Sequence, residues 1–152
     1  MKKFNFRLQR VLDIKGTIEE VKRRDFNVAR NKHSEEVKNL MDLQNQENFF
    51  RGKLNELRSK GSALRQVNIF YRFFAYLSGQ KVYRRNLIET AHEEMEKRRA
   101  ILLEAVREKK VLERLKEKKL LEYDFEVNKE EQAAIDEISG VKHSMKTKEE
   151  YQ

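Results

Sequence analysis

The sequence predicts an all-α fold, two long helices folded back on each other as an antiparallel coiled-coil hairpin. Three observations predict it. Charged residues make up 39% of the 152 and hydrophobic ones 38%, whereas a compact domain of this size usually has about 45–50% apolar residues and about 25% charged ones. Such a chain buries a stripe rather than a ball. Helix breakers are scarce, with no proline and five glycines, at 16, 52, 61, 79 and 140. Apolar residues also recur in alternating steps of three and four, the spacing of a coiled-coil seam.

The first helix is expected over about residues 5–58. Leu8, Val11, Ile14, Ile18, Val21 and Val28 form one run, with Asp25 filling a seam position. Leu40, Leu43, Phe50, Leu54, Leu57 and Leu64 form a second run, which also holds Glu47 and Gly61. The runs are out of phase by one residue, so a local skip is expected near Arg30–Glu36. At about 1.5 Å per residue this helix would be roughly 80 Å long. The turn is expected at about 59–63, in the cluster Arg58-Ser59-Lys60-Gly61-Ser62, with Ser62 capping the next helix. Ser78-Gly79 is the rival turn. The second helix is expected over about 64–138, with Ile88, Met95, Leu102, Ala105 and Leu112 on its seam and Ile101, Val106 and Leu115 beside it. Folding back sets Phe50 opposite the region of Phe73, and Val11 opposite the region of Val111. Residues 1–140 thus form the hairpin, and 141–152, polar and without a stripe, a flexible tail.

Glu precedes Lys or Arg by four residues at Glu19–Arg23, Glu20–Arg24, Glu47–Arg51, Glu93–Lys97 and Glu94–Arg98. Each such pair adds only about 0.2–0.5 kcal/mol to a helix and reads as a solvated face. Net charge is +8, concentrated in residues 1–60, where 15 Lys/Arg meet 9 Asp/Glu. Residues 107–119 hold seven basic and three acidic residues, and 122–137 then hold seven acidic and one basic. Such a switch could orient an end inside a charged partner.

No catalytic, cofactor or metal site is expected. Cysteine is absent, which excludes disulfides and thiolate chemistry and fits a reducing compartment. His33, His92 and His143 are far apart in sequence and form no H-E-x-x-H. Neither G-x-x-x-x-G-K-S/T nor G-x-G-x-x-G, the phosphate-binding glycine motifs, occurs, and carboxylates on a solvated helix have no concave pocket to raise a pKa. The N-terminus has no apolar signal core. The longest mostly apolar run, Ile69–Leu77, is interrupted by Arg72 and falls short of the roughly 20 residues a spanning helix needs. A cytoplasmic, soluble protein is expected.

The segment Gly61–Asn86 is the most informative. It has five Lys/Arg and no acid, and holds Phe70, Tyr71, Phe73, Phe74, Tyr76 and Tyr83. One partner helix hides about a third of a helix's circumference. Some of these rings must therefore be exposed or covered by another molecule.

The opening FNFRLQRVLDIK, the run RRAILLEAVREKKVLERLKEKK and the late EEQAAIDEIS together resemble the flagellar FliJ family. NFFRGKLNELRSKGS, followed by a Tyr-rich helix start, fits as well. The most specific part is the element Glu131, Gln132, Asp136 and Glu137. The resemblance covers about residues 1–140. It implies a non-enzymatic component of the flagellar type III export apparatus, cytoplasmic and peripheral at the inner membrane at the flagellar base. The expected architecture is an antiparallel stalk seated in the pore of the hexameric export ATPase FliI, promoting its assembly and ATP hydrolysis. Further implied partners are the linker of the export-gate protein FlhA and export chaperones.

By position, the family's gate-docking surface falls on Leu43, Phe50, Phe73 and Leu77. Two more of its positions fall on Gln80 and Arg84, which depart from the family in type. The ATPase-facing end falls on the paired termini: Phe4, Phe6 and Arg7 with Lys116, Lys118 and Lys119. Two other readings of the bare pattern stand beside this one. A generic homodimeric coiled-coil scaffold or chaperone would be a dimer, whereas the stalk should be a monomer when free. A basic nucleic-acid-binding helical protein would release its ligand steeply as salt rises, and no nucleic acid is expected.

Overall fold

The computed structural model describes residues 3–61 and 63–149, with side chains described to residue 140. Helix α1 spans Gln9–Ser59 and helix α2 spans Leu64–Glu149, and no strand occurs among the described residues. The fold is a helical hairpin. Between the helices Gly61 takes φ +71°, a left-handed conformation that glycine adopts without a Cβ clash. Its N–H donates to the carbonyl of Arg58, and the Lys60 N–H donates to Glu56 and Leu57, satisfying carbonyls at the end of α1. Ser78 and Gly79 lie inside α2. Ser62 lies outside the described residues, as do the side chains of the expected tail.

Both helices differ in length from the sequence reading. α1 begins at Gln9, not near residue 5, because the Gln9 N–H donates to the Phe6 carbonyl at 2.9 Å and the buried Phe6 holds the preceding segment out of the helix. α2 passes residue 138 and runs to Glu149. Gly140 is the one breaker on that stretch, and a single glycine costs a helix only about 1 kcal/mol.

The chain packs as two units, Ile18–Ala105 and Met1–Thr17 with Val106–Gln152. In the 18–105 unit, buried and half-buried positions on α1 step by threes and fours from Glu19 through Lys22, Phe26, Ala29, His33, Glu36, Leu40, Leu43, Glu47 and Phe50 to Leu54. On α2 the same spacing links Phe70, Phe74, Leu77, Lys81, Arg84, Ile88, Ala91, Met95, Arg98, Leu102 and Ala105. Leu54, Leu77, Ala91 and Ala105 are its best buried apolar members besides Ala29. Phe50 meets Phe73 edge-on, with ring centroids 4.9 Å apart, as the hairpin register requires.

The expected skip near Arg30–Glu36 is absent. The seam keeps the phase of the Leu40–Leu57 run back to Glu19, and Leu12 and Lys15 continue that spacing along α1. A skip would locally rewind the supercoil. A single phase avoids that at the cost of placing polar residues on the seam. The first apolar run therefore faces outward: Ile14 is 59% exposed and Val28 69%, with Val11, Ile18 and Val21 also exposed. Val11 and Val111 are both exposed.

The polar seam positions carry complementary charge. Within the 18–105 unit Glu36 of α1 accepts from Arg84 of α2 at 2.7 Å, Glu47 accepts from Lys81, and Asp25 lies 3.8 Å from Arg98. Glu19 pairs with Arg23 on its own helix. Glu19, read from sequence only as a member of a solvated pair, thus sits on the seam beside the expected Glu47, with side chains only 10% and 14% exposed. In the other unit Lys15 bonds Glu108 at 2.6 Å. No buried side-chain nitrogen or oxygen among the described residues lacks a partner.

Hydrogen bonds from Lys81 and then Arg51 hold the Glu47 carboxyl below its ordinary value of 4.5. A depressed folded-state pKa gives stability that is complete above the ordinary value and lost as pH falls through the lower one. Thermal melts followed by circular dichroism from pH 7 to pH 3 should show a smaller acid-induced loss for Glu47→Gln than for the parent. The two curves should converge at the acid end.

Candidate functional site

Two concave surfaces bring together most of the residues singled out in the sequence. The first lies in the 18–105 unit. Asn39, Asp42, Leu43 and Gln46 of α1 face Phe73, Tyr76, Leu77, Gln80 and Arg84 of α2 across a groove of about 270 Å³. Helical spacing builds it. Leu43 and Leu77 are seam residues that form the floor, whereas Asn39, Gln46, Phe73 and Gln80 each lie one turn away and form the walls. The groove has a mixed character. Arg84 is engaged by Glu36, and Tyr76 stands 61% exposed.

Of the four gate-docking residues expected from sequence, Leu43, Phe73 and Leu77 line this groove and Phe50 does not. Phe50 packs behind it, against Phe73 and Phe70. Leu77 is 1% exposed, the best buried side chain of the described chain. In the free protein it is a core residue. Gln80 and Arg84, the two positions that depart from the family in type, also line the groove. Tyr76 was missed as a wall residue. Its signal was the seven-residue spacing Ile69, Tyr76, Tyr83, which puts three exposed side chains on one face of α2. Beside the groove Arg51 lies over the ring of the half-buried Phe74 at 5.6 Å, a cation–π contact.

The second surface lies in the other unit. A groove of about 1320 Å³ runs between the non-helical residues 3–8 and α2 from Leu115 to Ala134. Phe4 stacks at a tilt on Tyr123, centroids 5.6 Å apart, and Phe6 is buried. Lys3, Arg7 and Lys119 contribute positive charge, and Glu122, Glu126, Glu130 and Glu131 negative charge. Lys119 donates to Glu122 at 2.6 Å. This hydrogen bond raises the Lys119 pKa and lowers that of Glu122. Of the ATPase-facing set, Phe4, Phe6, Arg7 and Lys119 converge here. Lys116 and Lys118 do not line the groove; Lys116 is half-buried at a seam position and Lys118 points to solvent. Past Val127, every α2 side chain to residue 140 is exposed, including Ile135 and Ile138. The family-like element lies on this stretch, where Gln132 donates to Asp136 at 2.9 Å.

The family model for the flagellar FliJ protein matches residues 4–148, nearly the whole chain. The chain belongs to the FliJ family. No curated protein and no solved structure gives a match. The family gives this FliJ chain a role in flagellar protein export as a non-catalytic component, and associates it with the flagellar base. No helix among its described residues is long and apolar enough to cross a membrane. The match spans residues on both grooves, from Phe4 to Ala134.

Burial separates two neighbours on the first groove. Leu77→Ala should cost about 2–5 kcal/mol of stability, the range for a fully buried leucine. Tyr76→Ala should stay within about 0.5 kcal/mol, as exposed positions do. Chemical denaturation of the two variants beside the parent measures both.

Proposed function

We propose that this FliJ-family chain is the coiled-coil stalk of the flagellar export ATPase. It binds the hexameric ATPase FliI and promotes its assembly and ATP hydrolysis. It also links the ring to the export-gate protein FlhA and to export chaperones, working at the cytoplasmic face of the inner membrane as a monomer when free. The single observation that carries the reading is the family match over residues 4–148. The placement of the two grooves supports it. The groove at Phe4, Arg7 and Lys119 fits the ATPase end, because rings and both signs of charge offer anchoring and orientation together. The groove at Leu43, Phe73 and Tyr76 fits the gate, because exposed aromatic and polar walls over an apolar floor are the composition that protein interfaces favour.

The shaft need not be purely polar to work this way. Ile14, Val21 and Val28 remain exposed along α1, so a ring around it would meet apolar side chains among the charges.

ATP hydrolysis by the purified export ATPase of the same organism should rise on adding this protein, with ring formation visible by electron microscopy. Arg7→Ala, an exposed change, should reduce the stimulation several-fold and leave FlhA binding intact. Tyr76→Ala should do the reverse. No stimulation, with the protein sedimenting as a stable dimer, would instead support the homodimeric scaffold.

A further inference from the structure

The hairpin joins two histidines that are far apart in sequence. His33 sits half-buried on the α1 seam and His92 exposed on α2, and their ring centroids lie 5.5 Å apart at an interplanar angle of 52°. Both belong to the 18–105 unit. Such a pair does on two helices what two histidines one turn apart do on one. It sets two imidazole rings beside each other across the hairpin.

The distance is short enough for one ion to reach both rings. A zinc–imidazole bond is about 2.0–2.1 Å, so two rings sharing one tetrahedral ion have centroids roughly 5–5.5 Å apart. The observed separation falls at the upper edge of that range. A pair held only by ring packing could take any centroid distance between about 4.5 and 7 Å. Two neighbouring carboxylates are committed elsewhere. Glu36, one turn from His33, is bound to Arg84 at 2.7 Å, and Glu96, one turn from His92, lies 3.6 Å from Arg99. No group of three or more metal-ligating side chains occurs among the described residues. Any ion here has two protein ligands and completes its shell with water.

We propose that His33 and His92 form a bidentate site for a divalent transition-metal ion of the imidazole-preferring class, Ni²⁺ or Zn²⁺. The ion clamps α1 to α2 in the 18–105 unit. Since the site exists only when the helices are paired, the ion binds the folded state and stabilises the hairpin by mass action. It also ties the register beside Ala29 and Ala91, two small buried members of the seam.

The test is thermal melting of the full chain with and without 100 µM NiCl₂, and separately ZnCl₂, followed by EDTA. The melting temperature should rise by roughly 5 °C when the metal is well above its dissociation constant, and EDTA should reverse the rise. Titration calorimetry should give one ion per chain, with the protein still sedimenting as a monomer. The shift should vanish in His33→Gln and in His92→Gln alike, and persist in His143→Gln. His92 is exposed, so its variant keeps the fold even where the His33 variant is weakened. No metal-dependent shift in the parent would overturn the proposal, leaving a packed ring pair. A shift that survives in His92→Gln, or a metal-induced dimer, would overturn it as well.

Discussion

The cross-helix charged rungs are the constraint on which the rest of the hairpin depends. A seam of leucines alone would accept several registers, because each step of seven residues presents nearly the same surface. Here α1 carries Glu36 and Glu47 on its seam and α2 carries Lys81 and Arg84, so a shift by one heptad strands half-buried charges. A partly buried ion pair adds little net stability, because desolvation consumes most of the Coulomb gain. Leaving one partner behind is far more costly. The rungs therefore act as a penalty on wrong pairings, while Phe50, Leu54, Leu77, Ala91 and Ala105 provide the burial.

That choice of register dictates what the surface displays. Keeping the seam in one phase turns Val11, Ile14, Ile18, Val21 and Val28 outward on α1. It also turns Tyr76, the neighbour of the buried Leu77, out of the seam, and so creates a groove with an apolar floor and polar walls. The histidine pair has the same origin. His33 follows Ala29 on the seam by four residues, and the antiparallel register brings His92, next to the buried Ala91, against it. In the other unit, α1 starts only at Gln9 while α2 continues past the paired stretch. Phe4 and Phe6 fold against that continuing helix and leave the wide groove beside them.

Much of the hairpin was legible from the chain. The absence of proline, the steps of three and four, and the glycine in a polar cluster define two helices and a reversal, because helix propensity and turn chemistry are local properties. The family-like pieces were legible for a similar reason, being fixed residue types at fixed spacing. The first apolar run of α1 was misread. Val11 to Val28 has a cleaner apolar pattern than Leu12 to Ala29, and hydrophobic periodicity alone favours it. Glu47 was placed on the seam, but nothing local reports that Lys81 approaches it from the other helix.

The sequence by itself determined the helices, the reversal near Gly61 and the family, since each rests on residue identity and short-range spacing. Only the tertiary structure decided which face of α1 is packed, that Leu77 is core while Tyr76 is surface, and that His33 meets His92. The physical reason is that these depend on rotation and register between two helices. That choice minimises stranded charge and local rewinding over the paired length, and no window of the sequence contains both sides of the contact.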